Sequence, residues 1–145
     1  MKILSLLFLT IFLGKGCDGD IKQNIKTAQL VYTAQTRGFS QEIIIEKKRV
    51  SITENRKAEA VKTKIKNADW KELIALFEEV NLEEIKNLKA PTEKRFYDGA
   101  AIANLKITYE GKVYESQSFD HGFPPEGIKK IVNKINSFVK QNNEN

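Results

Sequence analysis

The sequence predicts an α+β domain, a two-layer sandwich of about five antiparallel strands with two main helices on one face, in the order βββ-α-ββ-α. Three observations carry this expectation. Leu30, Tyr32 and Ala34 alternate with Gln29, Thr33 and Gln35, and Ala103, Leu105, Ile107 and Tyr109 alternate with Asn104, Lys106 and Thr108. That two-residue period marks half-buried strands. Trp70, Leu73, Ile74 and Phe77 fall at helical spacing, as do Ile128, Ile131, Val132, Ile135 and Val139, so each helix has one apolar stripe. A sheet and helices that each have one apolar face bury those faces against one another.

The elements follow in chain order. After the first strand, Arg37-Gly38-Phe39-Ser40 reads as a turn. Ile43-Ile44-Ile45 is β-branched throughout, Val50-Ser51-Ile52-Thr53 alternates again, and Glu46-Lys47-Lys48-Arg49 fits a tight hairpin between them. Residues 55–66 are ambiguous, with Val61 and Ile65 fitting a short strand or an irregular link. Asn67 or Asp69 is a candidate cap for the first helix, with Asp69-x-x-Glu72 an approximate capping box. That helix is expected to end near Val80, and Leu82, Ile85 and Leu88 suggest a shorter helical piece that Pro91 closes. Glu110-Gly111 turns the strand that ends at Tyr109 into a partner over 112–119. Pro124-Pro125 sets up the last helix, where a proline at the start costs nothing. The polar end, residues 142–145, is expected to fray.

The chain has 145 residues, 24 Lys and Arg against 19 Asp and Glu, and a net charge of +5. Its length fits one domain, expected over residues 28–141, and its 41% hydrophobic content is too high for a disordered chain. A single cysteine excludes an intramolecular disulfide framework and cysteine-rich zinc patterns, and a single histidine excludes two-histidine metal motifs. No metal or cofactor is expected.

The N-terminus starts Met1-Lys2, runs apolar from Ile3 to Leu13, and reaches Gly14-Lys15-Gly16-Cys17. The run is too short for a spanning helix, which needs roughly 20 apolar residues. A positive start, a short apolar core and small residues before a cut site describe a secretory signal peptide over residues 1–16. Its removal takes Lys2 and Lys15 and lowers the net charge to +3. Gly14-x-Gly16-x-x-Gly19 matches a dinucleotide-binding spacing, but a signal segment precedes it and a polar stretch follows, where a strand and a helix are required.

The cysteine sits where cleavage is expected, after Gly16, with Leu13 four positions back and acidic Asp18 and Asp20 beyond it. This resembles the relaxed lipobox of Bacteroidota-type lipoprotein precursors, over about residues 1–20. The departures are Gly14 where the usual pattern has an aliphatic residue, and the charge of Lys15 beside the cut. The resemblance implies that Cys17 receives a diacylglyceryl group and becomes the N-terminus. Residues 17–27 would then be a polar tether, and the exported domain would be held in the cell envelope, at the outer membrane on its periplasmic or surface face. The rival is ordinary cleavage after Gly16 with a free thiol at Cys17.

Three regions of the domain invite functional readings. Residues 47–66 hold eight Lys and Arg. No aromatic is interleaved with them as in single-strand nucleic-acid binders, so they read as a lysine-protected strand edge, and no nucleic-acid partner is expected. Arg95, Phe96, Tyr97 and Asp98 lie on a loop rich in binding hot-spot types, and Asp120, His121 and Phe123 lie where the last strand ends. The two loops flank the last hairpin and are expected at one end of the sheet as a ligand or partner surface. His121 with Asp98 or Asp120 as orienting partner would suit proton transfer, yet no nucleophile motif accompanies them. The alternatives are a turn held by Asp120 or His121, and aromatic rings that merely plug the sheet's open end. The sequence therefore favours a monomeric, non-catalytic envelope lipoprotein that binds a protein or small molecule. A small hydrolase using His121, or an inhibitor or immunity-type protein, stands as the alternative.

Overall fold

A computed structural model describes residues 23–144. The signal segment, Cys17 and most of the expected tether lie outside the described residues. The fold is α+β: an antiparallel sheet with two main helices. Strands β1 (Gln29–Gln35), β2 (Ser40–Glu46), β3 (Arg49–Thr53) and β4 (Val61–Lys64) precede helix α1 (Asn67–Glu79). Strands β5 (Ile102–Tyr109), β6 (Lys112–Glu115) and β7 (Phe119–Asp120) lead to helix α2 (Lys129–Asn143). The order across the sheet is β4-β3-β2-β1-β5-β6, with β7 pairing the start of β5 on the edge that β6 also occupies.

The sheet has seven strands where about five are expected, for two local reasons. The ambiguous link contains β4, an exposed edge strand whose only apolar residue is Val61, so no alternation announces it. The single strand expected over 112–119 is interrupted at Ser116. Its N–H donates to the Leu105 carbonyl at 2.9 Å, while its hydroxyl accepts from the Leu105 N–H at 3.0 Å in place of a backbone carbonyl. The ladder resumes only at Phe119 and Asp120.

The two-residue turns between β2 and β3 and between β5 and β6 use left-handed backbone. Lys47 and Lys48 have φ of 50° and 61°, and Glu110 and Gly111 have 49° and 75°. This is the turn hand that matches strand twist, here made without the usual Asn-Gly. The expected capping box is absent: Lys66 occupies the N-cap of α1 and no side chain caps it. Asp69 and Glu72 instead accept from the Lys134 ammonium of α2, at 2.7 and 2.5 Å, and so join the two helices.

Leu30, Tyr32, Ala34, Ile43, Ile45, Leu105 and Ile107 are buried in one core with Trp70, Leu73, Phe77, Ile128, Ile131, Val132 and Ile135. Phe138 joins them, while Val139 is only partly buried. Ile25 belongs to the same core, and the Asn24 N–H donates to the Tyr109 hydroxyl at 3.1 Å. Packed structure thus reaches into the stretch expected to be tether. Helix α2 likewise continues to Asn143, into the tail expected to fray. Among the described residues, no helix is long and apolar enough to cross a membrane.

Candidate functional site

Strand register defines two ends of the domain. Gln29 pairs with Glu46 and Thr108, so the start of β1 lies beside the β2–β3 turn and the end of β5. Gln35 pairs with Ser40 and Ile102, so the opposite end gathers the 36–39 turn, the start of β5 and the segment around β7. The two loops singled out from sequence meet at this second end.

Asp120 joins them. It pairs with Ile102 in the sheet, and its side chain is fully buried. One carboxylate oxygen accepts from the Thr92 hydroxyl at 2.6 Å and the Lys94 N–H at 2.7 Å. The other accepts from the Arg95 N–H at 3.0 Å and the Arg95 guanidinium at 3.1 Å. Burial disfavours the charge, but the bonds from Thr92, Arg95 and Lys94 outweigh it and hold the carboxyl at about 2. An ionised carboxylate therefore fixes the N-terminal end of the single 3-10 turn Lys94–Tyr97. The other end is closed by Asp98, left-handed at φ 59°, and by the Gly99 N–H donating to the Lys94 carbonyl at 2.8 Å. A side chain at Gly99 would meet the Tyr97 ring at 3.1 Å and Lys94 at 3.2 Å, closer than ordinary contact.

What this clamped turn displays is aromatic. Phe96 and Tyr97 are 71% and 72% exposed, and Phe123 is 43% exposed. The Arg95 guanidinium lies 4.3 Å from the centre of the Phe96 ring, and the Lys94 ammonium 4.3 Å from that of Phe123. Phe119, by contrast, is fully buried against Tyr32. One ring thus plugs the end of the sheet, and three remain outside.

His121 belongs to a different network. Its N–H donates to the Ala101 carbonyl at 2.9 Å, but its imidazole turns to the buried Tyr32, with Nδ1 2.7 Å from the hydroxyl, and stacks near Phe39. Neither aspartate is the orienting partner that the sequence suggested: both Asp120 oxygens are occupied by residues 92–95, and Asp98 is exposed at the end of its turn. Burial pushes the Tyr32 hydroxyl up to about 12, against a smaller opposing hydrogen bond from Asn136, and burial also lowers the imidazole. Both groups are neutral near pH 7. The Tyr32 hydroxyl and Nδ1 of His121 share this one hydrogen bond, and the Asn136 amide donates to the Val132 carbonyl at 3.0 Å.

Sequence reasoning missed Thr92, Tyr32 and Asn136. Thr92 carries no motif, Tyr32 reads as part of a core stripe, and Asn136 is an unremarkable polar helix position. Among the described residues, no group of three His, Cys, Asp or Glu could hold a metal. Comparison with protein families, with curated proteins and with solved structures finds no match for this chain.

Proposed function

We propose that this chain is an exported lipoprotein of the cell envelope, acylated at Cys17 and held at the outer membrane by that anchor, whose domain binds another envelope protein without catalysing a reaction. The observation that carries the binding role is the exposed Phe96–Tyr97 pair on a turn clamped by a buried carboxylate. Exposed aromatics beside an arginine are the residue types that dominate binding energy. A turn already fixed in place loses little conformational freedom on binding, so more of the contact energy appears as affinity.

The anchor and the aromatic turn suit opposite ends. Cys17 precedes Gln23 by six residues, which span at most about 20 Å. The start of β1 would therefore stay near the bilayer, together with Lys47, Lys48, Arg49, Lys64 and Lys66 on the adjoining turn and edge. Cations near an anionic surface each gain about 1 kcal/mol. The aromatic turn, at the far end of β1, would face away from the membrane. The domain is read as two layers with both helices on one face of the sheet, supported by the single core that one strand face shares with both helices.

The test is comparative capture in the native envelope. Wild type, Phe96→Ala/Tyr97→Ala and the remote variant Lys62→Ala are cross-linked in place, and the partners are identified by mass spectrometry. A partner shared by wild type and Lys62→Ala but lost from the aromatic double variant supports the reading. A partner set unchanged by the double variant overturns it.

A further inference from the structure

A concave site lies between the start of β2, the 121–124 turn and α2. Its groove has a volume of about 250 Å³, smaller than the 300–1,000 Å³ usual for drug-sized ligands and suited to a small metabolite. Gln41 lines it and is peculiar. It occupies the inward position of β2 that continues the Ile43–Ile45 stripe, opposite Ala34, and is only 7% exposed. Its side-chain oxygen is buried and has no hydrogen-bond partner among the described residues. Buried acceptors are normally satisfied, and on the wall of a groove the missing donor can be water or a bound molecule.

The other walls specify the rest of that molecule. His121 has Nδ1 engaged by Tyr32, and in the tautomer where the Tyr32 hydroxyl donates to Nδ1 the imidazole carries its proton on Nε2, free to donate. Lys140 adds a cation at the groove's edge, and Pro124, Val132 and Val139 supply apolar surface. The site therefore asks for a hydrogen-bond donor for Gln41, an anionic oxygen for His121 and Lys140, and a short aliphatic body. We propose that this groove binds a small 2-hydroxy or 2-amino carboxylate, its O–H or N–H donating to the Gln41 carbonyl oxygen and its carboxylate accepting from His121 and Lys140. The site shares no residue with the Phe96–Tyr97 surface, so either reading can fail without the other.

The test is an NMR titration of the exported chain carrying Cys17→Ser, following the His121 ring and the Gln41 side-chain amide. The probes are L-lactate, propionate (the same body and carboxylate without the hydroxyl) and glycerol (hydroxyls without a carboxylate). L-lactate is expected to shift both signals saturably. Propionate should bind about tenfold more weakly, because it leaves the buried acceptor unpaired, and glycerol should not saturate. Gln41→Leu should reduce lactate affinity to that of propionate. Lys140→Ala, at an exposed helix position that leaves the core untouched, should weaken lactate severalfold. The proposal is overturned if lactate moves neither signal up to its solubility limit, if propionate binds as well as lactate, or if glycerol alone saturates. Unchanged lactate affinity in Lys140→Ala overturns it as well, even where Gln41→Leu does not fold.

Discussion

Replacing Asp120 by alanine tests how the aromatic turn is held. The change leaves four donors without their acceptor: the Thr92 hydroxyl, the Lys94 and Arg95 N–H groups, and one bond of an Arg95 guanidinium whose side chain is 9% exposed. Removing one partner of a buried charge pair typically costs about 3–5 kcal/mol, a large share of the roughly 5–15 kcal/mol that stabilises a domain. Urea denaturation followed through Trp70 should show the midpoint falling by roughly 2 M, given slopes of about 1–3 kcal/mol per molar. The carboxyl also gives the effect a pH signature. A group lowered from 3.8 to about 2 contributes about 2–3 kcal/mol that is present above pH 4 and lost as the pH falls towards 2, because the unfolded chain takes up the proton first. Asp120→Asn should remove that acid-dependent component. If Asp120→Ala stays within about 0.5 kcal/mol of wild type, as an ordinary surface change would, or if the asparagine variant keeps the wild-type acid profile, the clamp is not what holds the turn.

Two further outcomes follow from the core and from the single histidine. Phe77 is fully buried, edge-on to Tyr109 at 5.7 Å. Phe77→Ala should cost about 3–5 kcal/mol in denaturant unfolding, and an unchanged midpoint would contradict the shared core of α1 and the sheet. Burial holds the His121 imidazole below its usual 6.5, so its contribution to stability is fully present above pH 6.5 and is lost as the pH falls below it. Thermal denaturation of His121→Gln should show a shallower decline than wild type over this range, and an identical slope would mean that the imidazole is not buried as described.

The sequence made the sheet and helices legible because their apolar periods are clean: Leu105, Ile107 and Tyr109 face inward as the alternation requires, and Trp70, Leu73 and Phe77 as the helical spacing requires. Where periodicity fails, so does the reading. Strand β4 has one apolar residue and is exposed throughout, and the break at Ser116 arises from a hydroxyl that replaces a carbonyl. At the candidate site, composition pointed to the loop of Arg95, Phe96 and Tyr97, but not to what fixes it. Thr92 and Asp120 are 28 residues apart in the chain, and Tyr32 and His121 are 89 apart. Asp120 looked like a proton-transfer partner for its neighbour and is instead a clamp for a distant loop. Gln41 breaks the Ile43–Ile45 stripe, and that break was the one local sign of the groove beside α2.

The proposed lipoprotein is defined by its anchor at Cys17. The direct measurement is intact mass, paired with detergent partitioning, of wild type and Cys17→Ser produced in a bacterial envelope. Each buried methylene of an acyl chain contributes about 0.8 kcal/mol, and two or more chains are needed for a stable hold. Wild type should enter the detergent phase and weigh more than the bare polypeptide from residue 17, and the serine variant should do neither. Wild type in the aqueous phase at the unmodified mass would show ordinary cleavage after Gly16 and contradict the anchor.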